Sequence, residues 1–166
     1  SLKELELAIK EGVSIIIDNE QELDNIIQLI SSSQTTKDVS VMIRLKPEIE
    51  AHTHDYIKTG QLDSKFGIER QFLISIATKI KQHPNLNFLG IHSHIGSQIF
   101  DTKPYMDLID ILLEAVLDLK KHDITIKELN IGGGIGISYI EADTPPEMSQ
   151  FIQSVTALIT KKFEDN

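Results

Sequence analysis

Apolar residues along the chain follow two spacings, one typical of amphipathic helices and one typical of buried strands. Helical spacing predicts five helices, whose apolar faces begin at Leu2, Leu23, Ile68, Leu108 and Phe151. Short apolar runs between them predict four strands, at 13–17, 39–45, 86–92 and 126–131. This alternation is typical of an α/β protein with a parallel sheet, and we expect both faces of that sheet to be covered.

The composition narrows the class of protein. The chain has 166 residues, of which 40% are hydrophobic, so it has enough apolar material for one core. It carries 25 acidic and 16 basic residues, and the net charge of −9 disfavours nucleic acid and anionic membranes as partners. The absence of cysteine excludes disulfides, thiolate nucleophiles and cysteine-bound zinc. Because no apolar run has the length of a membrane span and no signal-peptide pattern is present, we expect a cytoplasmic protein.

Two segments that carry chemistry directly follow predicted strands. His92-Ser-His-Ile-Gly-Ser-Gln98 offers imidazoles and hydroxyls, and Asn130-Ile-Gly-Gly-Gly-Ile-Gly136 offers backbone amides. Because α/β enzymes keep their chemistry at strand ends, the two segments together predict a site for a flat, phosphorylated cofactor. The amides of the glycine run could hold a phosphate, although a plain turn is an equal alternative for such a run taken alone.

The histidines and one arginine leave several interpretations open. His92 and His94 lie two apart on a strand and face one side, where they could bind a metal or stack on a cofactor, or be hydrogen-bonded core residues. His52 and His54 lie in the long loop 47–67, and a polar loop face explains them better than zinc, which needs three or four convergent ligands. Arg44 stands in an apolar strand, so a structural ion pair and a cofactor contact are both open.

Several segments, in order along nearly the whole chain, resemble the pyridoxal-phosphate decarboxylases of the alanine-racemase-like barrel fold, and the diaminopimelate decarboxylases most closely. These segments are Val41-Met-Ile-Arg-Leu45, Ala51-His-Thr-His-Asp-Tyr-Ile57, Asp63-Ser-Lys-Phe-Gly-Ile68, Gly90-Ile-His-Ser-His-Ile-Gly-Ser-Gln-Ile-Phe100 and Leu129-Asn-Ile-Gly-Gly-Gly134. The resemblance implies an α/β fold that is a partial (β/α)8 TIM barrel, with about four parallel strands and flanking helices. These would be barrel strands 4 to 7, so that residues 1–166 form one partial cofactor-binding domain.

The resemblance also implies a cofactor, pyridoxal 5′-phosphate, and roles for individual residues. His94 would be the catalytic residue that stacks on the pyridine ring, and Arg44 would lie near the phenolic oxygen. The phosphate would be bound by Ser97 and by the amides of Gly132, Gly133 and Gly134. No metal is implied. The reaction would be the decarboxylation of meso-2,6-diaminopimelate, a small amino acid, to L-lysine in the last step of lysine biosynthesis. The parent enzyme would be a homodimer, with Lys65 as a dimer contact.

Some features of the family are absent from this chain. It has neither the lysine-bearing first strand, which links covalently to the cofactor, nor the Glu-x-Gly-Arg segment, nor the C-terminal β-domain, and Asn130 replaces the usual aspartate before the glycines. A complete barrel needs about 250 residues. We therefore expect this chain to be an internal excerpt of a longer enzyme and to be inactive alone. We also expect it to associate through its two open sheet edges.

Three other functions remain as alternatives. A sister decarboxylase, acting on arginine or carboxynorspermidine, would share the barrel. A metal-dependent barrel hydrolase would use His92 and His94 as ligands. A non-catalytic module would retain only phosphate binding by the glycine loop.

Overall fold

The computed structural model describes residues 1–33, 38–47 and 65–164. Its five α-helices are α1 (Leu2–Glu11), α2 (Glu20–Ser33), α3 (Leu73–Lys81), α4 (Lys103–Lys121) and α5 (Met148–Glu164). Its four strands are β1 (Ile15–Ile17), β2 (Val39–Arg44), β3 (Leu86–His92) and β4 (Glu128–Asn130). Helices and strands alternate from α1 to α5, and a short 3-10 turn at Arg70–Phe72 precedes α3. The predicted number and order of helices and strands are confirmed within these residues.

The helix ends follow from local chemistry. Helix α1 stops at Gly12, which adopts a left-handed φ of 72° and donates its amide to the carbonyls of Ala8 and Ile9. Helix α2 ends in a run of serines. There the hydroxyls of Ser31 and Ser32 donate to the backbone carbonyls of Ile27 and Leu29, one turn earlier in the helix.

The strands form one parallel sheet in the order β1-β2-β3-β4. The register pairs Arg44 with His92, and His92 with Asn130, so the carboxyl ends of β2, β3 and β4 lie level with one another. Strands β3 and β4 approach closely at Gly90, where a Cβ atom would stand 1.9 Å from the carbonyl oxygen of Glu128. The chemistry-bearing segments that follow β3 and β4 therefore start at neighbouring positions on one edge of the sheet.

In the described residues the helices pack against one face of the sheet, and Met42 on the opposite face of β2 is also buried. The hydrophobic core contains Val41 and Ile43 of β2 together with buried residues of the helices. The alternate residues of β2, from Ser40 through Met42 to Arg44, lie outside that cluster. Strands that follow one another in sequence order through crossovers of a single hand place every helix on the same side. This is how a (β/α)8 barrel is wound, and the described residues form part of one.

Candidate functional site

The loops after β3 and β4 are joined side by side. The Ile99 amide donates to the Gly134 carbonyl at 2.9 Å, and the Gly136 amide donates to the Ile99 carbonyl at 2.9 Å. The side chain of Gln98 adds two more bonds, accepting from the Ile137 amide and donating to the Ile137 carbonyl, both at 3.0 Å. Gln98 itself has a positive φ of 57°. The two segments singled out in the sequence thus form one continuous surface, and Gln98 is a contact that the sequence pattern did not indicate.

Glycine is required at two of the three positions of the glycine run. A Cβ atom on Gly134 would stand 1.9 Å from the Gly96 carbonyl oxygen, and one on Gly132 would stand 2.7 Å from the Ser93 carbonyl oxygen. Both residues also have positive φ, of 102° and 74°. A Cβ atom on Gly133 would meet nothing within 4 Å. The outer glycines therefore allow the two loops to touch, whereas Gly133 is not confined by sterics.

The amides of the glycine run do not all remain available to a ligand. The Gly132 amide donates to Oδ1 of Asn130 at 2.9 Å, so the prediction that it binds a phosphate conflicts with this contact. The amides of Gly133 and Gly134 donate to no acceptor within the described residues. The Gly133 carbonyl accepts the hydroxyl of the buried Tyr105 at 3.0 Å, which fixes the loop from the α4 side. The amides of Gly133 and Gly134 thus remain for a ligand, and the bond from Tyr105 to the Gly133 carbonyl holds their loop in place.

His94 and Ser97 lie in the same joined loops. The imidazole of His94 lies against the glycine run, since its Nδ1 would be 2.9 Å from a Cβ atom on Gly132 and its Cε1 3.4 Å from one on Gly134. His94 is half-buried, whereas Ser97 is exposed. The structure therefore brings His94, Ser97 and the glycines together as the sequence predicted, while their roles toward a ligand stay predictions.

Arg44 forms the structural ion pair that the sequence left open. Its Nη1 donates to Oδ1 of Asp18 at 3.0 Å, and its guanidinium carbon lies 4.9 Å from the centre of the Phe66 ring. The same Asp18 oxygen accepts the amide of Gly67 at 3.1 Å. Sequence reasoning missed Asp18, although it directly follows β1 and so occupies the kind of strand-end position that identified the other site residues.

His92 lies between Arg44 and Asn130 at the end of β3. Burial, with smaller contributions from the nearby Arg44 and His94, lowers the pKa of the His92 imidazole to about 4. Its Nδ1 is buried and has no hydrogen-bond partner within the described part of the chain. The imidazole is therefore neutral at physiological pH.

Other candidate features add little to this site. Within residues 1–33, 38–47 and 65–164, no group of three or more His, Cys, Asp or Glu side chains is placed to hold a metal ion. No helix in the same ranges has both the length and the apolarity needed to cross a bilayer. Lys65 is exposed. His52 and His54 lie outside the described residues.

Comparison with known proteins agrees with this geometry. The chain is similar to a diaminopimelate decarboxylase of Synechocystis sp., with 44% identity over 161 residues. The matched region is 97% of this chain and 34% of that protein. The diaminopimelate decarboxylase of Bacillus methanolicus is 40% identical, and its matching region includes 98% of this chain and 38% of that protein. The chain thus spans about a third of the length of these relatives.

Solved structures give the same result for the fold. The crystal structure of diaminopimelate decarboxylase from M. jannaschii in co-complex with L-lysine superposes with a TM-score of 0.86 at 25% identity, covering 99% of this chain and 38% of that one. The profile of the family described as pyridoxal-dependent decarboxylase, pyridoxal binding domain, matches residues 1–166. The predicted cofactor, pyridoxal phosphate, is therefore that of the family, and this chain belongs to the pyridoxal-dependent decarboxylases through their pyridoxal-binding domain.

Proposed function

We propose that this chain is the cofactor-holding part of an enzyme that decarboxylates meso-2,6-diaminopimelate to L-lysine, the last step of lysine biosynthesis. The observation that carries the proposal is the joined pair of loops after β3 and β4, which brings His94, Ser97 and two unbonded glycine amides to one edge of the sheet. The choice of substrate is supported by the names of the relatives and by the L-lysine in the M. jannaschii complex.

The residues on this surface fit a phosphate group. The amides of Gly133 and Gly134 and the hydroxyl of Ser97 are neutral donors, and backbone amides in a glycine loop bind phosphate well. These donors form a phosphate cradle, which we define by the amides of Gly133 and Gly134 and the hydroxyl of Ser97. The cradle depends on the close contact between the two loops, and a Cβ atom on Gly134 would occupy the space of that contact. Asn130, adjacent to the cradle, is neutral where the family commonly has an aspartate, so no negative charge is added beside a phosphate dianion.

His94 and Arg44 would hold the ring of the cofactor. The imidazole of His94 lies against the glycine run, so a phosphate bound there would bring an attached flat ring within reach of the imidazole face. Arg44 uses Nη1 for Asp18 and has other N–H donors, which we assign to the phenolic oxygen. Asp18 and Phe66 restrict the motion of the guanidinium, which lowers the entropy that a ligand contact would cost.

The bound cofactor would supply an electron-accepting ring that stabilises the charge left on the substrate carbon when CO2 departs. The residues of this chain would bind the phosphate and hold the cofactor ring in a fixed position and orientation. They do not include the covalent lysine link expected on the first barrel strand, so we propose that the 166-residue chain alone binds the cofactor without catalysing the reaction.

We also propose the finer properties that the sequence suggests. Residues 1–166 form one partial domain, and the parent enzyme is a cytoplasmic homodimer that binds no nucleic acid. The net charge of −9 supports the last point, because a nucleic-acid surface needs a basic patch. The exposed Lys65 is compatible with a dimer contact.

Cofactor binding is tested by titrating the purified chain with pyridoxal phosphate and following the absorbance of the cofactor. We expect saturable binding, weakened by Ser97→Ala and competed by inorganic phosphate, with no CO2 release from meso-2,6-diaminopimelate. Metal content is measured in parallel. Tight metal binding without cofactor binding would support the hydrolase alternative instead. The substrate is tested with the complete gene product that carries this segment, which should release CO2 from meso-2,6-diaminopimelate and not from L-arginine.

A further inference from the structure

His92 lies on the face of the sheet opposite the described helices. It is the last residue of β3, and the register pairs it with Arg44 on one side and Asn130 on the other. Its neighbour Ile91 is fully buried in the core beneath the helices, so alternation along the strand turns His92 away from the helices and toward the face that carries Arg44. His92 is thus level with the proposed cofactor site although no role has been assigned to it.

The Nδ1 atom of His92 is buried without a hydrogen bond in the described residues. The next residue shows that this chain satisfies buried polar groups elsewhere, because the fully buried Ser93 donates its hydroxyl to the Leu45 carbonyl at 2.9 Å. Leaving a buried polar atom unpaired is unfavourable, because the atom has lost its hydrogen bonds to water. Such atoms in native proteins usually meet a ligand or an ordered water, so Nδ1 is placed to receive a partner that the protein does not supply.

The surroundings of His92 define the chemistry of that partner. Arg44 is the charged side chain on one side, held by Asp18, and His94 follows two residues later. The Arg44 guanidinium could donate to a bare Nδ1 lone pair, yet Nδ1 has no hydrogen-bond partner within the described residues. A neutral imidazole with its proton on Nδ1 accounts for this and offers a donor that adds no charge beside Arg44.

We propose that His92 donates a hydrogen bond from Nδ1 to the anionic oxygen that Arg44 holds when the site is loaded. This inference rests on the proposed function. The oxygen belongs either to the phenolate of the cofactor or to the carboxylate of the amino-acid substrate, which share the same chemistry. His92 and Arg44 then act as a neutral and a charged donor from adjacent strand ends toward one acceptor.

The test uses three variants that separate the two ring nitrogens. His92→Asn keeps a donor near the position of Nδ1, His92→Gln moves it toward the position of Nε2, and His92→Phe removes it. Binding of pyridoxal phosphate is compared with binding of its 3-deoxy analogue, which lacks the phenolic oxygen, and of inorganic phosphate. We expect His92→Asn to stay within about threefold of wild type, and the other two to bind pyridoxal phosphate about tenfold more weakly.

The controls separate the possible outcomes. If the acceptor is the phenolate, the 3-deoxy analogue binds wild type and variants equally; if it is the substrate carboxylate, the tenfold loss appears instead when L-lysine is added to the loaded chain. Inorganic phosphate should bind all four proteins alike. If His92→Phe binds every ligand as tightly as wild type, the inference about His92 is overturned and the proposed function is not. If wild type binds neither pyridoxal phosphate nor inorganic phosphate, the proposed function itself is overturned.

A second measurement needs no ligand. Long-range ¹H–¹⁵N NMR of the imidazole nitrogens in the free chain, assigned by loss of the signal in His92→Asn, should show a neutral ring with the proton on Nδ1. A proton on Nε2 would overturn the inference even if the variants bind weakly.

Discussion

Replacing Gly134 with alanine should separate the two loops of the site, whereas the same replacement at Gly133 should not. The new Cβ atom at Gly134 would stand 1.9 Å from the Gly96 carbonyl oxygen, where ordinary contact begins at 3.4 Å, so the loops would have to move apart by about 1.5 Å. The φ of 102° at this position is also unfavourable for alanine. At Gly133 the Cβ atom has no neighbour within 4 Å and φ is not positive.

The magnitude follows from these two effects. A strained backbone conformation costs about 1–3 kcal/mol, and forcing atoms into a packed contact costs about 1–3 kcal/mol. The free energy of unfolding of Gly134→Ala should therefore fall by about 2–6 kcal/mol. Movement of the loops would also lengthen the 2.9 Å bond from the Ile99 amide to the Gly134 carbonyl. Gly133→Ala should change stability by less than about 0.5 kcal/mol.

Urea denaturation followed by circular dichroism measures the stability of both variants. Titration with inorganic phosphate measures the phosphate affinity of the cradle. Because every 1.4 kcal/mol is tenfold in affinity, we expect phosphate binding by Gly134→Ala to weaken at least about tenfold. Gly133→Ala, the matched control, should bind within about threefold of wild type. Equal stability and equal phosphate affinity in the two variants would refute the steric reasoning.

Two further predictions concern neighbouring side chains. Gln98→Ala removes both bonds to the Ile137 backbone, so stability should fall by about 1–2 kcal/mol and the Ile137 amide should exchange hydrogen faster; unchanged exchange would contradict the assigned contact. Because the pKa of His92 is lowered to about 4, the unfolded chain binds more protons than the folded chain below pH ~6.5. The stabilisation is complete above that pH and is lost as the pH falls toward 4. After allowance for solvent screening we expect a loss of about 1–2 kcal/mol, measured by urea denaturation at both pH values. His92→Asn should lack this loss, and an equal loss of stability in wild type and His92→Asn would contradict the assignment of the loss to His92.

The sequence predicted the helices and strands well because each has an apolar face of regular spacing. It did not predict which faces of the sheet are covered. In β2, Val41 and Ile43 pack beneath the helices, yet Met42 between them is also buried on the other side. A strand therefore has the same continuous apolar sequence whether helices cover one face of the sheet or both. Handedness and strand order decide the matter, and neither is visible in hydrophobic periodicity.

The site was predicted in part for a similar reason. His94, Ser97 and the glycine run follow strands directly, so their placement at one edge was predictable from position alone. The partners that fix them were not: Asp18 precedes Arg44 by 26 residues, and Gln98 reaches Ile137 across 39. Three adjacent glycines look equivalent in the sequence. The opposing Gly96 carbonyl and the positive φ distinguish Gly134 from Gly133.

The bond between Tyr105 and the glycine loop gives the protein a built-in optical probe. The chain has no tryptophan and three tyrosines, so its ultraviolet emission comes from tyrosine alone. Tyr139 is 74% exposed, whereas Tyr105 is buried, donates its hydroxyl to the Gly133 carbonyl and packs edge-on against the Phe151 ring. A pyridine ring bound over the loop would absorb the light that Tyr105 emits. Quenching of that emission, smaller in Tyr105→Phe, would report occupancy of the site without any label.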